Sequence, residues 1–103
     1  MPSRIEMLRG FIAQRPADPF PQYALALEYK NAGDLAAAWE TFESLLDRHG
    51  DYVAAYLHAG NTLVALGRPG DARQVYERGL AASAKQGDSH AHGELQGALA
   101  SLG

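Results

Sequence analysis

Residues 25–42 read LALEYKNAGDLAAAWETF, and residues 59–76 read AGNTLVALGRPGDARQVY. Laid over one another, thirty-four residues apart, they share a sparse pattern of large and small side chains. Leu25-Ala26-x-x-Tyr29 stands over Ala59-Gly60-x-x-Leu63, Gly33 over Gly67, and Ala38-x-x-x-Phe42 over Ala72-x-x-x-Tyr76. Each glycine ends one amphipathic stretch and precedes another. A fixed period of this length is the mark of stacked helical hairpins, in which each hairpin buries one face against its neighbour. Such arrays bind other molecules far more often than they transform them.

Working outward, breakers divide the rest of the chain into further helical stretches. The first spans about residues 3–15, opened by the capping-box pattern Ser3-x-x-Glu6 and stopped by Pro16, which cannot continue the hydrogen-bond ladder. Ile5, Leu8 and Ile12, joined by Met7 and Phe11, are expected to make its apolar face. The second opens within Asp18-Pro19 and closes before Gly33. The third begins at Asp34 and is expected to stop at Gly50; the fourth is expected to open at Asp51 and close before Gly67. The fifth begins near Pro69 and runs to about Lys85, and a sixth follows Gly87-Asp88-Ser89 and runs to Leu102. No segment alternates with period two as a strand does. The expected fold is all-α, with about six helices.

Composition narrows the function. The chain has 103 residues, enough for one small domain, and a net charge of −3, which disfavours nonspecific binding to nucleic acid or anionic lipid. There is no cysteine, and hence no disulfide, thiol nucleophile or thiolate metal site. No run approaches the roughly 18 apolar residues of a membrane span, and the N-terminus lacks the apolar core of a signal peptide. The expected location is the cytoplasm. His90, His92 and Glu94 suggest a metal cluster, but residues two apart on a helix point to different sides, and His90 with Glu94 alone is a poor ligand set. His49 and His58 are expected at a helix end and on the surface. There is no phosphate loop, no Gly-x-Ser-x-Gly elbow and no HExxH. We therefore expect no catalytic residue, no metal and no cofactor.

The spacing of large and small residues resembles the tetratricopeptide repeat. Residues 19–52 supply Gln22, Leu25, Ala26, Tyr29, Gly33, Ala38 and Phe42 at the motif positions; residues 53–86 supply Tyr56, Ala59, Gly60, Leu63, Gly67, Ala72 and Tyr76. The resemblance implies two repeats between two half-repeat caps, residues 1–18 and 87–103, in a segment of right-handed superhelical solenoid. Gln22 departs from the usual large aromatic, and Gly79 stands where alanine is usual.

Carried over from the family, the first helix of each hairpin lines a concave groove. The implied partner-binding residues are Phe20, Tyr23, Leu27, Lys30 and Asn31 from the first repeat, and Leu57, Asn61 and Val64 from the second. In the last helix the same positions fall on His90, Gly93, Gly97, Ala100 and Ser101. Asn61 suits a peptide backbone because its amide both donates and accepts. Leu27 and Leu57 have an alternative role in packing against neighbouring helices. Family members that grip a C-terminal carboxylate use a Lys/Asn clamp, of which only Asn61 and Lys30 survive here, so that ligand is not expected. The implied function is a non-enzymatic interaction module for a protein or peptide. The alternative is self-association into a homodimer, through the apolar groove or through the smooth Gly93/Gly97 strip.

Overall fold

The computed structural model describes residues 3–103, and among them every regular element is a helix. The order is α1 (Arg4–Gln14), α2 (Pro19–Asn31), α3 (Leu35–Arg48), α4 (Ala54–Ala65), α5 (Pro69–Gln86) and α6 (Ser89–Ser101). Each helix packs on the next in chain order, and α4 also meets both α2 and α6. The result is an array with extents of 44 × 29 × 19 Å.

The hairpin turns are encoded locally, and identically, by the two glycines. Gly33 and Gly67 take φ of 83° and 75°, the left-handed region that glycine enters without a Cβ penalty. After Gly33, the Asp34 N–H donates to Tyr29 O at 2.9 Å; after Gly67, the Arg68 N–H donates to Leu63 O at 2.9 Å. These bonds satisfy carbonyls that the helix end leaves free. Aspartates then open the next helices. Asp34 Oδ1 accepts from the Ala37 N–H at 3.1 Å, Asp88 Oδ1 from Ala91 at 3.0 Å, and Asp18 Oδ1 from Phe20 at 3.1 Å. At the start of α1, Ser3 Oγ accepts from the Glu6 N–H at 3.1 Å.

The connection between α3 and α4 departs from the sequence reading. Gly50 does not adopt positive φ, and α4 starts at Ala54, three residues after Asp51, with no side-chain cap. This loop is held by distant side chains instead. The Tyr56 hydroxyl donates to Gly50 O at 2.6 Å, and Gln86 Nε2 donates to Asp51 O at 2.5 Å. Asp51 therefore contributes a carbonyl to α5 rather than a carboxylate to α4.

The main core lies between the hairpins. Ala26, Ala38, Phe42, Ala59, Leu63, Ala72, Tyr76 and Leu95 are among its buried residues. A satellite of Leu8, Ala24 and Leu25, with Ile5 and Ile12 against it, fastens α1 to α2. The small residues set the spacing of the helices. A Cβ on Gly60 would overlap the ring of Tyr76, and one on Gly79 would lie 2.6 Å from Tyr56 Cβ and 3.0 Å from Leu95 Cδ1. Gly79, the departure from the usual alanine, is thus the partner of a large Tyr56. Tyr76 packs on Gly60 of its own hairpin, so this aromatic fills space within the hairpin that carries it.

Candidate functional site

The first helices of the hairpins, α2 and α4, bring their corresponding faces to one side of the array, and α6 extends that side. Tyr23 sits on α2, and Leu57 and His58 on α4; with Val53, Ala54 and, from α6, Ala91, Glu94 and Leu95, they enclose a cavity of about 220 Å³. One and a half turns further along, Asn61 and Val64 face Tyr76, Ala98, Ser101 and Leu102 across a second hollow. Ser101 of the last helix lines this second hollow. Along the rest of α6 it is Ala91, Glu94 and Ala98 that line these hollows. Gly93 opens elsewhere, toward His92 and Gln96, and the His90 side chain is 88% exposed.

The anticipated groove residues divide by burial. Phe20, Asn31 and Val64 are exposed, whereas Tyr23, Lys30 and Asn61 are half-buried. Leu27 and Leu57 are partly buried and pack against the main core, so each contributes to the fold as well as to the groove wall. The Asn61 amide is less free than its sequence position suggests. Its Oδ1 accepts from the Tyr76 hydroxyl at 2.5 Å, which leaves the amide N–H groups as the available donors.

Sequence reasoning missed two members of the site, Tyr52 and His58. The Tyr23 ring lies 5.2 Å from that of Tyr52 and 6.0 Å from the His58 ring, both tilted, a geometry that aromatic pairs favour. Burial raises the Tyr23 and Tyr52 hydroxyls above the ordinary phenol range, and each gains from a neighbour, Tyr52 and Asp18 respectively. Both rings therefore stay neutral at physiological pH. His58, expected on the surface, is half-buried between α2 and α6, and its Nδ1 is buried without a hydrogen-bond partner. The signal in the sequence was its position one residue after Leu57 on the groove side of α4.

Burial, followed by the positive charge of Lys30, lowers the His58 pKa below 6.5, against a smaller opposing pull from Glu94. A histidine whose native pKa is depressed binds its proton more readily in the unfolded chain. Its contribution to stability is therefore complete above the unfolded pKa of about 6.5 and is lost as pH falls below it. We expect the urea midpoint to fall on acidification from about pH 7.5 to 5, and to fall less steeply in His58→Gln. Parallel curves for the two proteins would show that His58 titrates alike in both states.

The other histidines lie away from this cavity. His49 is the C-cap of α3, as anticipated. His90 Nε2 lies 3.2 Å from Glu94 Oε1 on the exposed side of α6, whereas His92 Nδ1 lies 3.1 Å from the buried Ser83 Oγ. The two rings diverge as their spacing requires, and no group of three or more potential metal ligands exists among the described residues. Nor is any described helix long and apolar enough to cross a membrane.

An all-α array of helical hairpins that repeat at a fixed period defines a helical-repeat protein. A family model described as tetratricopeptide repeat matches residues 31–102. A TPR repeat-containing protein of Pseudomonas aeruginosa is 31% identical over 91 residues, spanning 88% of this chain and 87% of that one. The solution structure of a tetratricopeptide repeat domain protein from Salinibacter ruber superposes with a TM-score of 0.80 at 34% identity, over 84% of this chain and 88% of that one. The solution structure of a Bordetella parapertussis protein superposes with a TM-score of 0.83 at 31% identity, over 99% of this chain and 89% of that one. This chain belongs to the tetratricopeptide repeat family. Proteins of this family generally act as non-enzymatic scaffolds for protein–protein interaction.

Proposed function

We propose that this chain is a protein-interaction module that holds a peptide or helical segment of a cytoplasmic partner in the groove formed by α2, α4 and α6. The observation that carries the reading is the cavity between those three helices. It is walled by Tyr23 and Leu57, large enough for an apolar side chain, and flanked by the polar groups of Lys30, Asn61 and Glu94. Binding sites of this kind combine a few apolar anchors with a few placed polar groups. Tyr23 is the anchor, since tyrosine gives a large contact area for little lost side-chain freedom. Asn61, with its oxygen held by Tyr76, presents its N–H groups to a carbonyl of the bound backbone. Phe20, Asn31 and Val64 extend the contact along the exposed rim.

Selection of binders from a random peptide library tests this. Tyr23→Ala is expected to weaken a selected peptide about tenfold or more, the usual effect of truncating an interface anchor. Asn61→Asp keeps an acceptor for Tyr76 and removes the donor, and is expected to weaken the same peptide several-fold. If both variants bind as the parent does, the partner sits elsewhere.

A further inference from the structure

Gln22 stands where the repeat favours a large aromatic, and the exchange leaves a polar cavity inside the first hairpin. The Gln22 side chain is only 5% exposed, yet its amide makes no hydrogen bond with any described residue. Neither atom of the amide is sealed off. They open into a cavity of about 330 Å³ between α1, α2 and α3, walled by Ile12, Gln22, Glu40, Thr41, Ser44 and Arg48. This cavity shares no residue with the hollows along α2, α4 and α6.

The second repeat fills the corresponding space. Thirty-four residues on, Gln22 becomes Tyr56 and Ser44 becomes Arg78. The Tyr56 hydroxyl donates to Gly50 O, and the Arg78 guanidinium covers the ring, 5.8 Å from its centroid. Tyr56 faces Gly79, whose counterpart in the first repeat is the fully buried Leu45. Leu45 takes up part of the missing aromatic's volume, and it sets Gln22 level with the middle of α3. Two shorter side chains, Gln22 for a tyrosine and Ser44 for an arginine, leave the rest open. Along the rim Glu40, Ser44 and Arg48 stand about one turn apart, over about 12 Å of helix. The Thr41 hydroxyl is engaged with Ala37 O at 2.8 Å, but no ion pair holds Glu40 or Arg48 among the described residues. A primary amide presents an acceptor beside donors, and its complement is a second carboxamide that returns both bonds. A carboxylate brings acceptors only, an ammonium donors only, and an apolar group leaves the buried amide unpaired.

We propose that this cavity is a second binding site, for an extended segment of a protein partner that sets a carboxamide side chain, glutamine or asparagine, against Gln22. A basic residue of the segment lies toward Glu40 and an acidic one toward Arg48. Alternate residues of an extended chain point to one side, so the pattern basic-x-carboxamide-x-acidic aims all three side chains at α3. Its outer residues stand about 13 Å apart, close to the span from Glu40 to Arg48. The paired amides select the central residue. The charges set the direction of the segment, so salt weakens the contact.

The test titrates two end-blocked pentapeptides, Lys-Ala-Gln-Ala-Asp and its reverse, into the whole chain labelled with nitrogen-15. One of them is expected to shift the Gln22 side-chain amide signals to saturation. Exchange of its glutamine for methionine is expected to weaken it about tenfold, the effect of leaving a buried amide unpaired. Gln22→Met is expected to bind the glutamine and methionine peptides alike. Ser44→Arg sets over the cavity the side chain that covers Tyr56 in the second repeat, and is expected to abolish binding. Ser44 is exposed, so this variant keeps its helical circular dichroism, and it carries the test if Gln22→Met does not fold. Tyr23→Ala is expected to leave all of this unchanged, which separates the site from the groove of α2, α4 and α6. The proposal is overturned if neither peptide moves the Gln22 signals, if the methionine peptide binds the parent as well as the glutamine one, if binding survives Ser44→Arg, or if Tyr23→Ala removes it.

Discussion

Truncation of Phe42 to alanine is expected to destabilise the chain by about 3–5 kcal/mol, the range for removing a buried aromatic side chain. Phe42 is fully buried in the main core, on the face of α3 that also carries Ala38. Its removal takes a large apolar side chain out of that core and leaves a cavity that the surrounding helices fill only in part. Small domains have about 5–15 kcal/mol in total, so the loss is a large share of the whole. Thermal unfolding is expected to move down by well over 10 °C, at about 4–8 °C per kcal/mol for a domain of this size. Equilibrium urea unfolding of the two proteins measures the difference. A change below about 1 kcal/mol would mean that the core collapses onto the site without strain.

The second prediction turns on sign. Helix propensity alone makes glycine to alanine favourable by about 1 kcal/mol anywhere inside a helix. At Gly79 of α5 the new methyl would stand 2.6 Å from Tyr56 Cβ. That atom is fixed to the α4 backbone, so relief requires the two helices to separate. Overpacking of this kind costs about 1–3 kcal/mol. We expect Gly79→Ala to be destabilising on balance, by about 1–2 kcal/mol. At Gly97 of α6 nothing lies within 4 Å of the added carbon. Gly97→Ala is therefore expected to stabilise by up to about 1 kcal/mol. Opposite signs for one chemical change, read as urea midpoints, identify helix approach as the reason for glycine at 79. Stabilisation by both would show that α4 and α5 separate at little cost.

Much of the fold was legible because its signals are short-range. The residues after Gly33 and Gly67 each donate to a carbonyl five residues back, and Asp34 and Asp88 each cap an amide three residues on. Information of that kind is complete within a few residues. The connection at Gly50 and Asp51 was not legible, because it is held by Tyr56 and by Gln86, six and thirty-five residues away. The same glycine signal that closes a helix at Gly33 therefore means something else at Gly50.

The candidate site divides along the same line. The period of thirty-four residues placed Tyr23, Leu57 and Asn61 on corresponding helix faces. It did not reveal that Tyr76 holds the Asn61 oxygen, nor that α2 and α6 bury His58. A lone histidine on a helix carries no sign of its neighbours on other helices.

By itself, then, the sequence determined that this protein is a set of helices, where each begins and ends at its capped and glycine-closed turns, and that neighbours pair as repeating hairpins. Those properties rest on local hydrogen bonds and on the 3.6-residue period of the apolar faces, both written into adjacent residues. Only the tertiary structure decided how closely the helices approach at Gly60 and Gly79, which groove groups remain free to bind, and which apolar side chains stay exposed, Met7 and Phe11 of α1 among them. Those are set by the volume and charge of side chains brought together from distant parts of the chain. Burial and desolvation exist only once that packing has formed.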